Sequence, residues 1–206
     1  EILARSSILK YSYQDHLIVG WGYSGSYSNK RKNYTDQSYV NFGYQVETAG
    51  NALYAFCKAT GMSTDQNGTY KIFNVPFAQY ARANMDFSYN QLLAPKHRLV
   101  FHAGIGAVVP FLNSQSVPFE KRFFSGGANS VRGWQARTLG PGAFQGSQNL
   151  SSYDLQVGDI RLDLNIEYRW RVWSIIELAA FFDAGNNWTI HDYEAQPGGV
   201  FLADQR

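Results

Sequence analysis

The chain has 206 residues and a formal net charge of +2, with 18 basic against 16 acidic side chains. This length suffices for one domain with a core, and the balanced charge gives no reason to expect a nucleic-acid partner. A single cysteine excludes an intramolecular disulfide framework, and no run of 18 apolar residues could form a transmembrane helix. The 14 Tyr, 14 Phe, 5 Trp and 19 Gly favour strands and turns over helix bundles.

Apolar and polar residues alternate with a period of two along most of the chain, which predicts β-strands. Eight strands are predicted in chain order: Ile8–Tyr13, Leu17–Gly25, Ser38–Thr48, Ala52–Lys58, Phe77–Tyr89, Leu99–Val109, Asp159–Val172 and Ile176–Ala184. In Phe77–Tyr89 only Gln79 intrudes on the apolar side.

The alternation is clearest from Asp159 to Val172. Every odd position from Asp159 to Arg171 is polar, and every even position from Ile160 to Val172 is apolar. Strands of soluble proteins usually have about five or six residues, whereas a tilted strand needs roughly 9 to 11 residues to cross a bilayer. The length of this segment therefore favours a membrane-spanning strand.

The predicted connections alternate in length. Short ones are expected at Gln14–His16, Ala49–Asn51, Gln91–Lys96 and near Ile175, and long ones at Ser26–Gln37, Ala59–Pro76, Phe111–Gln156 and Asn186–Arg206. Short turns at one end and long loops at the other are typical of transmembrane β-barrels. A soluble antiparallel sandwich also shows alternating apolar and polar residues along its strands and stays the alternative.

Residues 118–142, PFEKRFFSGGANSVRGWQARTLGPG, carry the most specific motif. Within them Gly126 and Gly127 precede the tetrapeptide Val131–Arg132–Gly133–Trp134. This stretch closely resembles the long inward-folded loop of the BamA/TamA-like outer-membrane assembly and translocation barrels, the bacterial surface antigen superfamily. The family hallmark is Val-Arg-Gly followed by Phe or Tyr, so Trp134 is a departure that keeps a large aromatic ring.

Two motifs after the loop extend the resemblance. LNIEY at 164–168 resembles the family strand that carries a Glu, and FFDAG at 181–185 resembles the next strand with its Asp-x-Gly. The resemblance implies that Arg132 reaches into the barrel lumen and meets the acidic wall residues Glu167 and Asp183.

Hairpin geometry bears on the same three residues. A turn centred on Ile175 would place Glu167 and Asp183 directly opposite each other, and a turn centred one residue away would place them diagonally. A guanidinium between the two carboxylates offsets their repulsion. The alternative is that Glu167 pairs only with Arg161 or Arg169 of its own strand.

The role expected for this loop is positional. Gly126 and Gly127 allow a sharp turn, Arg132 is held by charge, and Trp134 packs in the lumen. We expect the tetrapeptide to anchor the loop and thereby to stabilise the barrel in a competent state.

The resemblance implies an all-β fold, an antiparallel transmembrane β-barrel of about sixteen strands. The family loop joins the eleventh and twelfth strands, so the eight predicted strands would be the sixth to the thirteenth, with every long connection on the extracellular side. Residues 1–206 are then expected to form a partial barrel domain with a long lumen-directed loop at about 111–156. Either a signal peptide was removed or the chain is an internal fragment.

The implied function is outer-membrane protein assembly, insertion or translocation, without enzymatic activity, cofactor or metal, in a Gram-negative bacterium. Expected partners are outer-membrane lipid and lipopolysaccharide, unfolded client proteins, and accessory assembly or periplasmic proteins. The basic stretch Ser26–Asn33 is interpreted as a solvated loop tip or a lipopolysaccharide contact rather than a nucleic-acid site.

Other functions stay open from the sequence. A two-partner-secretion-type export pore, a passive porin or a barrel enzyme would share the architecture, and an enzyme would draw on Asp183, His191 and Asp192 at the rim. A metal site on one strand is not expected, because His97 and His102 have opposite parity and lie on opposite faces.

Overall fold

The computed structural model describes residues 15–31, 37–144, 156–194 and 196–201, which form a six-stranded sheet beside a two-stranded ribbon. The elements are β1 Gly20–Ser28, β2 Tyr39–Ala49, α1 Asn51–Ala59, β3 Lys71–Ile72, β4 Val75–Pro76, β5 Tyr80–Ala94, β6 His97–Pro110, β7 Ile160–Arg171 and β8 Glu177–Trp188. The large sheet has the order β1-β2-β5-β6-β7-β8.

All neighbouring strands of the large sheet are antiparallel. The predicted all-β antiparallel class is confirmed, and strands such as β5 with 15 residues and β6 with 14 are long enough to cross a bilayer. Of the eight predicted strands, six overlap the strands of this sheet. Ile8–Tyr13 lies outside the described residues.

The two faces of the sheet differ in polarity, as the register shows. Ile105 faces Met85 on one side and Leu162 on the other, so the apolar rows of neighbouring strands meet on one face. Exposed apolar side chains there are Trp21, Tyr23, Val46, Met85, Phe87, Ile105, Leu164, Ile166, Leu178 and Phe182. The other face carries Asn, Asp, Glu, Arg and His side chains. Apolar-out and polar-in alternation is the pattern of a barrel wall in lipid.

The predicted strand Ala52–Lys58 is wrong, because these residues belong to helix α1. Leu53, Tyr54 and Cys57 are the residues turned inward, and their spacing follows the helical period of 3.6. Gly50 precedes the helix with φ 79°, and a Cβ there would lie 2.5 Å from the carbonyl oxygen of Ala78. The chain therefore leaves β2 at this glycine and turns into a helix. No helix among the described residues is long and apolar enough to span a membrane.

This helix changes the predicted placement of the loops. The connections 29–38, 95–96 and 172–176 share one end of the sheet, and the connections 50–79 and 111–159 share the other. Ser26–Gln37, expected among the long extracellular loops, thus lies at the end of the short turns. Lys30 and Arg31 therefore lie at the end of the sheet opposite the connections 50–79 and 111–159. Among the described residues, four strands of the large sheet precede the connection 111–159 and two follow it.

A small core lies beneath the long connections. Its buried members are Ala49, Ala78, Tyr80, Val108, Val117 and Phe123. Gln79, expected on the apolar side of a strand, instead precedes β5 and is 1% exposed. Its side chain accepts a hydrogen bond from Asn113 N at 3.1 Å and donates one to Asn51 Oδ1 at 3.0 Å. Gln79 therefore ties the two long connections together at this end.

Candidate functional site

The connection between β6 and β7 folds back onto the polar face of the sheet. Phe123 and Gly158 form an antiparallel bridge at its base, with hydrogen bonds of 2.9 and 2.8 Å between their backbones. A second bridge joins Ser125 to Leu139. The second bridge closes residues 125–139 into a compact hairpin-like excursion that carries the motif.

The base of the loop is fixed by an ion pair that the sequence did not indicate. Arg122 Nε donates to Asp159 Oδ1 at 2.9 Å, and both side chains are 1% exposed. The other oxygen of Asp159 accepts from Ile190 N at 3.0 Å, and the guanidinium of Arg122 lies 5.3 Å from the centre of the Tyr193 ring. A buried charge needs a partner of this kind, so the pair locks the loop base to the segment after β8.

Gly126 and Gly127 turn the chain toward the sheet, as expected. Their φ angles are 96° and 93°, in the left-handed region that glycine tolerates. A Cβ on Gly126 would collide with the carbonyl oxygen of Gln135. The turn lets Ser130 Oγ donate to Asp163 Oδ1 at 2.6 Å and accept from Gly126 N at 3.2 Å. Asp163 is 1% exposed and is the second point at which β7 holds the loop.

The tip of the loop is held by Arg132. Its Nε and Nη2 donate to the two oxygens of Asp183 at 2.8 and 2.7 Å, and its backbone N donates to Asp183 at 3.0 Å. Its Nη1 donates to Glu167. The guanidinium carbon also lies 3.7 Å from the centre of the Phe181 ring. The structure thus brings Arg132, Glu167 and Asp183 together, with the bidentate geometry that arginine favours.

The two carboxylates are diagonal, not directly opposite. Glu167 faces Phe181 across the hairpin, and Asp183 faces Asn165. Asn165 Nδ2 donates to Asp183 Oδ1 at 2.8 Å and to the carbonyl of Ser130 at 2.6 Å, so it supports both the acid and the loop. Glu167 also accepts from Arg169 Nε at 2.5 Å, which keeps the alternative pairing on its own strand alongside the loop contact.

Hydrogen bonds to Asp183 raise the pKa of Arg132 above its ordinary value, and burial opposes them in part. Arg132 is therefore a permanent cation at every accessible pH. Its hold on the two acids depends on geometry rather than on titration.

The remaining members of the tetrapeptide differ in their contacts. Val131 is 7% exposed and sits against Gly185, where a Cβ would lie 3.0 Å from Val131 Cγ2 and 2.7 Å from the carbonyl oxygen of Leu162. Trp134 was expected to pack in the lumen. Among the described residues it is 51% exposed to solvent. A Cβ on Gly133 would have no atom within 4 Å. Val131 and Arg132 therefore make the contacts of the tetrapeptide with the sheet.

The stretch after the tetrapeptide is attached to the end of β8. Asn187 Nδ2 donates to the carbonyl of Leu139 at 2.8 Å, and Asn186 Nδ2 donates to the carbonyl of Gly142 at 2.9 Å. Neither asparagine stood out in the sequence. Two polar side chains at the end of a mostly apolar strand are the one sequence feature that could have indicated this attachment.

The residues of the other candidate sites lie apart. Asp183 is engaged by Arg132 and Asn165, and His191 lies beyond the end of β8. His97 bonds the Tyr168 hydroxyl on the apolar face, whereas His102 bonds Asn165 on the polar face, as their parity predicted. Within the part of the chain that the structure describes, no group of three or more His, Cys, Asp or Glu residues could hold a metal ion.

An antiparallel sheet with one lipid-compatible face and a long loop folded on the other defines the wall of a transmembrane β-barrel. Residues 5–201 match the Omp85 superfamily domain, and the chain belongs to this superfamily. It contributes strands to an outer-membrane β-barrel of a Gram-negative bacterium.

A curated protein and a solved structure are similar to the chain. Outer membrane protein assembly factor BamA of Nitratidesulfovibrio vulgaris (strain Hildenborough) is 35% identical over 107 residues, which cover 50% of this chain and 12% of that protein. The crystal structure of BamA from Haemophilus ducreyi lacking POTRA domains 1–3 is 14% identical, with a TM-score of 0.43, and the match covers 83% of this chain and 42% of that chain. The chain thus spans less than half the length of either.

Proposed function

We propose that the protein assembles or translocates other proteins at the outer membrane and that this chain is part of its barrel. The observation that carries the proposal is the attachment of the loop tip through Arg132 to Asp183 and Glu167, in a chain of the Omp85 superfamily. The role of the site is positional and non-enzymatic. In this proposal residues 111–156 form the lumen-directed loop of a partial barrel.

The contacts suggest how such a loop acts. Asp159, directly before β7, and Asp163 and Glu167 on the polar side of β7 each bind a different part of the loop. At about 3.3 Å per residue, these contacts extend over roughly 26 Å along the strand. The loop thus acts as a brace, meaning a segment attached at several points along the barrel wall. The contact of Arg132 with Asp183 adds an attachment to the neighbouring strand β8. We infer that the brace fixes the wall in one arrangement while client proteins are handled elsewhere in the barrel.

The partners follow from the same proposal. The apolar face contacts outer-membrane lipid, lipopolysaccharide lies beside the long connections 50–79 and 111–159, and unfolded client proteins arrive from the periplasm. Accessory assembly or periplasmic proteins would bind outside the described sheet. A related member of the superfamily, BamA, is named an outer membrane protein assembly factor, which supports assembly over simple permeation.

Depletion of the protein, followed by complementation, tests the proposal. If it is correct, depletion removes other β-barrels or translocated proteins from the outer membrane, wild type restores them, and Arg132→Ala restores them poorly. Arg137→Ala serves as a matched control, because Arg137 contacts the rings of Phe119 and Phe124 within the loop rather than the acids of the sheet. Normal levels of every other barrel and secreted protein after depletion would contradict the proposal and favour a passive pore. Loss of a single secreted protein, with every other barrel at its normal level, would narrow the role to that of a two-partner-secretion-type export pore.

A further inference from the structure

A row of three polar side chains crosses the polar face of the sheet beside the loop tip. His102 on β6 is the direct partner of Asn165 on β7, and Asn165 is the direct partner of Asp183 on β8. Asp183 binds Arg132 of the loop, and Asn165 binds the carbonyl of Ser130. We propose that His102 is a positioning residue for the loop. It orients the amide of Asn165, and this amide in turn positions the loop backbone and the carboxylate of Asp183.

The hydrogen bonds of Asn165 determine which way its amide points. Its Nδ2 donates to the carbonyl of Ser130 at 2.6 Å and to Oδ1 of Asp183 at 2.8 Å. A carbonyl and an ionised carboxylate can only accept, so the nitrogen must face them, and both of its N–H groups are then in use. The amide oxygen consequently faces His102, whose Nδ1 lies 2.9 Å away. The reverse orientation would set the amide oxygen against two other acceptors.

This arrangement assigns the proton on the ring of His102. The oxygen of Asn165 can only accept, so Nδ1 must carry a proton and donate it. Nε2 lies 3.8 Å from Oδ1 of Asp86 on β5, which is beyond hydrogen-bond distance. A neutral ring with its proton on Nδ1 and a doubly protonated ring both donate to Asn165. His102 therefore supplies the same donor in either charge state.

The surroundings of the imidazole keep its Nδ1 edge turned toward β7. Gly104 is the next residue on the same face of β6, and a Cβ there would lie 3.6 Å from Cε1 of His102 and 3.1 Å from Oδ1 of Asp86. The missing side chain leaves room for the ring and this carboxylate to approach each other. Asp86 has partners of its own, because its carboxylate accepts from Asn84 at 2.7 Å and from Arg161 at 3.4 Å. The ring is thus bounded on the β5 side by an anchored carboxylate.

The contact of His102 with Asn165 matters to the loop because one amide makes both attachments. Without a donor at position 102, the amide oxygen of Asn165 loses the bond that fixes it, and the amide is free to turn away from Ser130 and Asp183. Loss of one ordinary hydrogen bond changes an equilibrium by about fivefold. We therefore expect the loop tip to open about fivefold more often. The consequence of this opening for client proteins rests on the proposed function.

Hydrogen exchange in the purified full-length protein tests the proposal without any client protein. The backbone N–H of Arg132 donates to Asp183 when the tip is attached, so exchange at Arg132 reports the opening of the tip. Exchange should be about fivefold faster in His102→Leu and faster still in Asn165→Ala, which loses both attachments. His97→Leu is the matched control, because His97 lies on the same strand but on the opposite face. It should exchange as wild type does.

Two amide variants separate the roles of the ring nitrogens. In His102→Asn the amide nitrogen is bonded to Cγ, as Nδ1 is, so it can replace the donor to Asn165. In His102→Gln the amide nitrogen lies one carbon further out, near the position of Nε2. Slow exchange should therefore be largely kept in His102→Asn and lost in His102→Gln. The double variant His102→Leu with Asn165→Ala should exchange no faster than Asn165→Ala, because His102 acts through that amide.

Three results would overturn the proposal. The first is that exchange in His102→Leu equals that in His97→Leu. The second is that His102→Gln keeps slow exchange as well as His102→Asn does, which would mean that Nε2 supplies the contact. The third is that the effects of His102→Leu and Asn165→Ala multiply in the double variant, so that His102 reaches the loop by another route. Client insertion is measured separately in the same variants. Faster exchange with normal insertion would support the positioning role of His102 and contradict the proposed function of the tip.

Discussion

The loop is held to the sheet by two charged contacts that differ in character. At its base, the pair of Arg122 and Asp159 is 1% exposed on both sides and is joined by one hydrogen bond of 2.9 Å. At its tip, the side chain of Arg132 is 26% exposed, and this residue donates three hydrogen bonds to the carboxylate of Asp183. The base is costly to break because either charge alone would stay buried without a counter-charge, whereas the tip is held by a bidentate contact. The base is therefore suited to fixing the fold, and the tip to a contact whose loss changes activity before it changes folding.

The largest effect is expected from breaking the base. Asp159→Asn should destabilise the folded barrel by about 3–5 kcal/mol, because it leaves the charge of Arg122 buried without a partner. Urea unfolding in lipid vesicles measures the change. The double variant Arg122→Met with Asp159→Asn should recover part of the loss, since no uncompensated charge is then buried. Equal destabilisation of the single and the double variant would show that the base does not depend on charge.

A smaller loss of stability, with a larger loss of activity, is expected from breaking the tip. Arg132→Ala should cost about 1.5–3 kcal/mol, the range for hydrogen bonds to charged groups, and should reduce client insertion more than Asp159→Asn does at equal amounts of folded protein. Arg132→Lys should rescue poorly, because an ammonium cannot bind Asp183 in bidentate fashion. Heat-modifiable electrophoretic mobility reports folding, and the amount of inserted client barrels reports activity. Normal mobility together with normal client insertion in Arg132→Ala would refute a role for the tip.

The sequence predicted the tip better than the base for a physical reason. Strict alternation in Asp159–Val172 determines which side chains share a face, and the resemblance of the loop motif supplies the three members of the tip. Whether Glu167 and Asp183 are opposite or diagonal depends on a one-residue shift of a hairpin turn, which composition does not determine. Arg122 meets Asp159 only because the loop folds back onto the sheet, and no local pattern records that path.

The error in Ala52–Lys58 has a different cause. A segment this short fits periods of 2 and of 3.6 about equally well, so the pattern alone cannot separate strand from helix. Gly50, with its left-handed backbone, and buried Cys57 decide in favour of the helix. Because a strand reverses the direction of the chain across the membrane and this helix does not, the single error also moved Ser26–Gln37 to the wrong end of the sheet.

The packing of the loop tip against β8 can be tested by substitution of Gly185, which contacts Val131. Gly185→Ala should destabilise the loop by about 1–3 kcal/mol, the usual cost of overpacking, since the new methyl group would press on Val131 and on the carbonyl of Leu162. The expected readout is faster proteolysis of the loop, with the barrel itself still folded. Val131→Ala should partly relieve the effect in the double variant. Strictly additive losses in the two variants would mean that Val131 and Gly185 do not share a contact.

The smallest effect is expected at Gly133, although it belongs to the motif. Its Cβ would meet no atom within 4 Å, and its φ is not in the left-handed region, so Gly133→Ala should change stability by less than about 0.5 kcal/mol. Gly126→Ala is the matched control. It should be far more harmful, because a Cβ there collides with Gln135 and φ is 96°. Unfolding in urea compares the two variants directly. If Gly133→Ala keeps its stability but loses client insertion, the face of the tip at Gly133 and Trp134 contacts something other than the described sheet. If it destabilises as much as Gly126→Ala, the attachment of the tip is not limited to Val131 and Arg132.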